Sequence, residues 1–160
     1  MIRISRLTDY GIVILSYMAA HPDQVHNASS VAVGAHLPLP TVGKLLRAFA
    51  RGGLLSSHRG INGGYSLARP PREISVAGVI RALEGPIGLT LCRAESPGDC
   101  AHEAVCRVRT HWQRINQAIR QALEGITLSE MAAPVSPQFM PVAEGDRREG
   151  PDTMPKAALG

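Results

Sequence analysis

The stretch from Pro40 to Arg69 constrains the fold of this chain more than any other. In PTVGKLLRAFARGG (residues 40–53), apolar side chains recur at spacings of three, one and three. This pattern predicts a helix with one apolar stripe, beginning at Pro40 in a favourable first-turn position and stopped by Gly52–Gly53. Two short strand-like pieces follow, residues 54–58 and 64–69, separated by the Gly/Asn-containing sequence RGING. They predict a β-hairpin with a flexible basic tip.

Two helices are predicted ahead of this stretch. SRLTDYGIVILSYMAAH predicts a helix over about residues 5–21, capped by Ser5, with an apolar face. The face is formed by Ile4, Leu7, Ile12, Leu15, Met18 and Ala19. NASSVAVGAHL predicts a short helix over about 28–36, capped by Asn27 or Ser29. A winged helix–turn–helix has this order of elements: three helices, with a tight turn between the second and third, and then a hairpin. The predicted fold class is therefore mainly α with a small β-hairpin wing.

The second half of the chain predicts a long helix. Ser75 caps a helix that ends at Gly85, and after a cysteine-containing segment apolar residues recur at heptad spacing up to Gly125. These residues are Val105, Val108, Trp112, Ile115, Ile119 and Ala122. Thr127 and Glu130 form a predicted capping box for a last short helix. From Ala133 the chain is rich in Pro, Gly and charge, which predicts disorder.

These patterns divide the 160 residues into four parts. Residues 1–85 are the predicted winged helix–turn–helix, 86–106 a cysteine loop, 107–132 the long helix with the short one, and 133–160 a tail. The first 90 residues carry nine Lys/Arg against four Asp/Glu, a net charge of +5. This excess favours a polyanionic partner but is common in itself. The N-terminus lacks a cleavage-site pattern and no apolar run reaches membrane length, so a cytoplasmic protein without a membrane partner is expected.

The predicted third helix and wing indicate DNA binding. A major groove admits one α-helix, whose N-terminal residues face base edges, while a short basic tip can enter the minor groove. The predicted DNA-binding residues are Ser29, Ser30, Pro40, Thr41, Lys44, Arg47, Arg59, Asn62 and Gly63. The alternative is that the basic residues form a solvated helix face and that the hairpin is an ordinary turn.

All three cysteines, Cys92, Cys100 and Cys106, lie in one polar segment. Cysteine is usually a buried residue, so this concentration argues against a packing role. No pair has the two-residue gap common in zinc sites, whereas iron–sulfur clusters accept longer spacings. Three thiolates leave one position for another ligand, with His102, His111, Glu103 and Asp99 nearby. Redox-active thiols, or three unrelated ones, remain alternatives.

These motifs together resemble the IscR/NsrR/RirA family of bacterial winged-helix iron–sulfur transcription regulators. The matching stretches are ISRLTDYGIVIL, LPLPTVGKLLRAFARGGLLSSHRGINGGYSLAR, ISVAGVIRALEG, the three-cysteine loop and ITLSEMA, which together cover about residues 1–132. The likeness is greatest to the regulators of the SUF iron–sulfur assembly operon. It implies a homodimer, paired through the long helix, that binds a roughly palindromic double-stranded DNA operator, and we expect it to act as a repressor.

The resemblance also implies site residues. Cys92, Cys100 and Cys106 match ligands of a [2Fe–2S] or [4Fe–4S] cluster, and Arg59 matches an arginine that enters the minor groove. Asp9 matches the carboxylate ligand that the partner subunit provides in the nitric-oxide-sensing branch, although a first-turn aspartate is also explained by the helix dipole.

The chain departs from the family pattern at three places. The first cysteine gap is seven residues where the best-known members have five, and Arg109 stands where one branch has a histidine ligand. Gly43 replaces a side chain that reads a base in some relatives, so an operator sequence cannot be transferred.

The same residues allow two other functions and argue against a third. A winged-helix regulator without a cluster would sense oxidation through its thiols or bind zinc. A protein-interaction module would use the basic domain to dock a partner protein. An enzyme is not expected, because the chain has no phosphate loop and no Ser/His/Asp arrangement. His26, His36 and His58 are scattered and predicted to be solvated or capping residues.

Overall fold

The structure is a computed structural model that describes residues 4–90, 100–102 and 104–134. Within these residues, six α-helices and two strands follow one another. They are α1 (Arg6–Ala19), α2 (Ala28–Gly34), α3 (Leu39–Arg51), β1 (Leu55–His58), β2 (Gly64–Leu67), α4 (Val76–Glu84), α5 (Arg109–Glu124) and α6 (Leu128–Ala132), with a 3₁₀ turn at Pro71–Glu73. The predicted fold class, mainly α with a two-stranded antiparallel wing, is confirmed.

Helix α1 packs its inner face against α3 and α4. Ser5 caps it through a bond from the Thr8 amide, as predicted. The predicted apolar face was partly wrong, because Ile4 and Leu7 are 48% and 41% exposed. The buried face instead contains Thr8 and Gly11, where a Cβ would stand 2.7 Å from the Phe49 ring. A pattern that counts only apolar residues misses a glycine and a threonine that lie at the contact.

The turn between α2 and α3 is a Schellman motif. The Leu37 amide donates to the Ala32 carbonyl at 3.0 Å and the His36 amide donates to the Val33 carbonyl at 3.2 Å. His36 occupies the left-handed position of this motif, with φ 52°, where glycine is usual. Helix α2 therefore ends at Gly34, two residues before the predicted end, and α3 begins at Leu39, one residue before Pro40.

A residue from outside the hairpin extends the wing. Strands β1 and β2 pair from Leu55↔Leu67 to His58↔Gly64, and His26 forms a further antiparallel bridge to Tyr65. Both backbone bonds of this bridge measure 2.8 Å. The His26 side chain is 5% exposed and its Nε2 lies 3.1 Å from the His21 carbonyl. The prediction that His26 is solvated or capping was therefore wrong, because the bridge draws it into the interior.

Helix α5 begins later than the heptad pattern predicts. Val105 lies in a turn and Val108 is the N-cap, so neither belongs to the helix. The Val105 amide bonds to the His102 carbonyl and the Arg109 amide to the Cys106 carbonyl, a three-residue spacing typical of tight turns. The helical part of the seam is thus Trp112, Ile115, Ile119 and Ala122.

The end of the described chain returns to the first domain. Leu128 is fully buried in the core that contains Ile74 and Phe49, and its amide donates to the Ile74 carbonyl at 2.9 Å. The predicted capping box of Thr127 and Glu130 is present. Helix α6 therefore packs with the winged helix rather than extending α5. The predicted disordered tail lies outside the described residues, apart from residues 133 and 134.

Candidate DNA-binding face and cysteine site

Helix α3 separates its apolar and basic residues onto different faces. The predicted apolar residues Val42, Leu45, Leu46 and Phe49 are all buried. Pro40, Lys44 and Arg47 are exposed, and Thr41 is half-buried at the start of the helix. The apolar face holds α3 in the core, so its basic side chains are free to meet a ligand.

The start of α2 presents two serines to solvent. The Asn27 side chain caps α2 by accepting from the Ser30 amide at 2.8 Å, so Asn27 rather than Ser29 is the cap. Ser29 and Ser30 are exposed, and the Ser30 hydroxyl donates to the Asn27 carbonyl at 2.9 Å. The side chain of Ser30 is therefore partly engaged within its own cap.

Glycines shape the tip of the wing. Gly60 has φ +107°, and the Gly63 amide donates to the Gly60 carbonyl at 2.9 Å. A Cβ at Gly63 would lie 2.4 Å from the His58 carbonyl oxygen, so this position requires glycine. Arg59 and Asn62 are exposed on this turn. The tip can thus approach a surface closely while presenting an arginine.

The structure describes two of the three predicted thiol ligands. Cys100 and Cys106 are free, half-buried cysteines, and Cys106 stands two residues before the N-cap of α5. Cys92 lies outside the described residues. Within the described ranges no three His, Cys, Asp or Glu side chains are grouped as metal ligands. Cysteine thiolates are the usual ligands of iron–sulfur clusters, so the two described thiols fit such a group.

Asp9, the predicted fourth ligand, lies at the start of α1. It is exposed in the first turn of α1 and lines an open groove of about 680 Å³ with Ser5, Arg6 and Glu84. The Glu84 carboxylate, at the end of α4, accepts hydrogen bonds from the Ser5 amide and the Thr8 hydroxyl. The bond from Thr8 is the main reason why the pKa of Glu84 lies below its ordinary value.

Sequence reasoning missed Asn116, which joins α5 to the start of the cysteine segment. Asn116 is 6% exposed. All residues of α5 are described, and Asn116 is the one that is buried. Its Oδ1 accepts from the Leu89 amide at 2.8 Å and its Nδ2 donates to the Thr90 hydroxyl at 3.3 Å. An asparagine in the middle of an amphipathic helix was the available signal, since buried amides need partners.

In the part of the chain that the structure describes, no helix is long and apolar enough to cross a membrane.

Known proteins with the same fold and related sequences are transcription regulators. Residues 4–134 match the family described as Rrf2, iron-dependent transcriptional regulator. A Rhodobacter capsulatus protein described as an rrf2-like regulator of the HTH type is 29% identical over 118 residues, which cover 71% of this chain and 79% of that protein.

Two solved structures share the architecture. CymR, the global cysteine regulator of B. subtilis, superposes with a TM-score of 0.64 at 30% identity, covering 82% of this chain and 97% of its own. IscR of T. potens gives a TM-score of 0.61 at 28% identity, covering 81% and 85%. With these relatives and the family match over residues 4–134, the chain belongs to the Rrf2 family of winged-helix, DNA-binding transcription regulators, and not to a family of enzymes.

Proposed function

We propose that this protein is a homodimeric repressor of iron–sulfur cluster assembly genes, of the SUF type, whose operator affinity depends on a cluster held by its cysteines. The observation that carries the proposal is the joining of a winged helix to a segment that concentrates every thiol of the chain. The family's description as iron-dependent supports an iron-containing signal.

The DNA contacts are proposed to come from three exposed places. The N-terminal half of α3 would enter the major groove through Pro40, Thr41 and Lys44, with Arg47 and the serines of α2 near phosphates. The wing tip would bring Arg59 to the minor groove, with Asn62 and Gly63 beside it. The exposure of Lys44, Arg47 and Arg59 and the closeness of approach that Gly60 and Gly63 permit support this arrangement.

Exposed apolar residues support the homodimer. Ile115 is 42% exposed, and Ala118 and Ala122 are also exposed on the outer side of α5. Leu7 and Val13 add apolar surface on α1. Pairing α5 with its counterpart would remove the exposed apolar surface of α5 from water and set two recognition helices at a fixed separation. Ile115→Glu is expected to turn the dimer into a monomer in sedimentation, whereas exposed Gln117→Glu is not.

The proposed cluster ligands are Cys92, Cys100 and Cys106, with Asp9 of the partner subunit as the fourth. A bound cluster would supply a redox- and nitric-oxide-sensitive group, while the protein would supply the thiolates and the link to DNA. Asp9 is exposed and stands on an open groove, which is compatible with a ligand shared between subunits. A change of 5–150-fold in affinity would need roughly 1–3 kcal/mol of coupling.

The test combines spectroscopy with DNA binding. Wild type and Asp9→Ala are purified without oxygen and compared by visible absorption and Mössbauer spectroscopy. We expect a brown, iron-containing protein whose spectrum changes in the variant. A protein that stays colourless and iron-free after reconstitution would remove the cluster from the proposal.

Operator fragments selected from a random pool measure the contribution of the wing. Arg59→Ala should weaken binding and reduce the dependence of affinity on salt by roughly one counterion. Arg81→Ala is the matched control, because Arg81 lies on α4 in an exposed pair with Glu124. Equal loss in both variants would argue against a wing contact.

A second candidate keeps DNA binding and replaces the cluster by thiol oxidation or zinc. CymR of Staphylococcus aureus, 28% identical and with a TM-score of 0.61, has been solved in an oxidised form. Free, half-buried Cys100 and Cys106 are chemically suited to the same role. Neither zinc nor thiols give brown absorbance, so the colour of the anaerobic protein separates the two candidates.

A further inference from the structure

Asn116 is unusual because it is the buried residue of a helix whose other residues are half-buried or exposed. An apolar side chain would fill such a site without the cost of desolvating an amide. The cavity next to it, about 600 Å³ and lined by Pro86, Leu89, Ile119 and Leu123, is largely apolar. A polar residue here therefore has to be explained by the bonds that it makes.

Both halves of the amide bond to the same short segment. Oδ1 accepts from the Leu89 backbone at 2.8 Å, and Nδ2 donates to the Thr90 side chain at 3.3 Å. Among the described residues, the hydrogen-bond partner of both Leu89 and Thr90 is Asn116. A side-chain amide has one group that accepts and one that donates, and both must be aligned with their partners. These two bonds therefore fix the position of Leu89 and Thr90 along α5 more closely than apolar contact would.

The segment that Asn116 holds leads directly to the first cysteine. Thr90 is two residues before Cys92 in the sequence, and two residues span at most about 7 Å. At the other end of the cysteine segment, Cys106 leads within three residues into α5. Helix α5 thus anchors the segment at both ends, through the chain at Cys106 and through Asn116 at Thr90.

We infer that Asn116 is a positioning residue for the cluster site: it ties the start of the cysteine segment to α5 and so determines how firmly the site retains its cluster. This inference rests on the proposed function. It adds that retention of the cluster depends on α5, the helix proposed to pair the subunits. The residue responsible, Asn116, is not itself one of the proposed ligands.

The test uses the full chain and three substitutions. Asn116→Leu removes both polar contacts at similar volume, and Thr90→Val removes the hydroxyl partner alone. Gln117→Leu makes the same chemical change at an exposed neighbour on α5 and is the matched control. Asn116→Asp retains the Oδ1 acceptor and serves as the conservative variant.

Hydrogen exchange of the Leu89 amide in the apo protein reports the contact directly. Loss of one hydrogen bond should speed exchange roughly tenfold in Asn116→Leu. Asn116→Asp should restore protection, and Gln117→Leu should leave it unchanged. Unchanged exchange in Asn116→Leu would overturn the inference, since the contact would then not hold the segment.

Cluster retention is measured as the half-life of the visible absorbance in excess ferrous chelator. We expect roughly tenfold faster loss in Asn116→Leu, and less than the product of the two single effects when Thr90→Val is combined with it. The half-lives could be equal in wild type and Asn116→Leu although the Leu89 amide exchanges faster in the variant. That result would overturn the inference while leaving the proposed cluster in place.

If wild type holds no iron, the proposed function fails, and with it the role of Asn116 in cluster retention; the apo protein then tests whether Asn116 positions the cysteine segment. The readout is then the rate at which iodoacetamide alkylates Cys92 relative to Cys100, followed by mass spectrometry. Faster alkylation of Cys92 in Asn116→Leu, with Cys100 unchanged, would support the anchoring role. Identical relative rates would overturn it.

Discussion

Replacing Glu84 by glutamine should weaken the link between α4 and the start of α1. The Glu84 carboxylate accepts from the Ser5 amide at 3.1 Å and from the hydroxyl of fully buried Thr8. Hydrogen bonds to charged groups contribute about 1.5–3 kcal/mol each. Glu84 is exposed, and the Thr8 hydroxyl has Ser5 Oγ at 3.1 Å as a second partner. After allowance for solvent screening and this second partner, the expected loss is about 1 kcal/mol at pH 7.

The pH dependence of this loss identifies its cause. Thr8 and Ser5 hydrogen bonds hold the pKa of Glu84 below its ordinary value of 4.5. A carboxyl whose folded-state pKa is depressed contributes stability that is fully present above the unfolded pKa and is lost as pH falls through the folded pKa. Wild type and Glu84→Gln should therefore differ at pH 7, and the difference should shrink as the pH falls below 4.5 and through the lowered pKa of Glu84.

Urea unfolding between pH 3.5 and 7.5 measures the difference, and the Tm at pH 7 should fall by about 4 °C for a domain of this size. Glu73→Gln is the control, because the Glu73 carboxylate is exposed and lies 4.0 Å from Arg72 in a surface pair. If Glu84→Gln and wild type had parallel stability curves over this range, the carboxylate would not link the two helices as described.

Three glycine or turn substitutions test other parts of the fold by thermal unfolding. Gly43→Ala should raise the free energy of unfolding by about 0.5–1 kcal/mol, because Gly43 lies within a helix and the added Cβ meets only the Arg47 side chain, at 3.5 Å. A decrease would contradict the open space around Gly43. Gly64→Ala should cost about 1–3 kcal/mol, because its Cβ would stand 2.4 Å from the His26 carbonyl oxygen; neutral behaviour would mean that the wing is not bridged there. His36→Gly should stabilise by about 1 kcal/mol by relieving a left-handed backbone at φ 52°, and no gain would argue against the Schellman turn.

Local signals predicted the elements well. The caps at Ser5, Ser75 and Thr127 are all present, and the apolar stripe of α3 is buried as the spacing indicates. These features depend on residues within one or two turns of each other, so a short window contains the information. The Gly60–Gly63 tip belongs to the same class, because its shape is set by backbone freedom at adjacent positions.

Features that depend on distant residues could not be predicted. The bridge between His26 and Tyr65 joins positions 39 residues apart, and its cause is an approach of two backbones that leaves no periodic trace. The start of α5 at Arg109 depends on how the cysteine segment turns into the helix. The heptad spacing extends across that boundary because valines 105 and 108 are apolar, although neither is helical.

The same distinction explains why the candidate regulatory site is harder to predict than the candidate DNA-binding face. The proposed contacts to a groove come from side chains on one helix and one turn, so candidates such as Lys44 and Arg59 can be found from local pattern. A sensor must instead connect parts of the chain that are far apart in sequence. Here Asn116 reaches Thr90 across 26 residues and Glu84 reaches Thr8 across 76. Both contacts flank the segment from 85 to 90, which leads from the end of α4 to the cysteines. A displacement of residues 85–90 would therefore be resisted on one side by α5 and on the other by α1, which packs against α3, the proposed recognition helix. Polar contacts suit this role better than apolar ones, because a hydrogen bond is broken by a small displacement whereas apolar packing tolerates sliding.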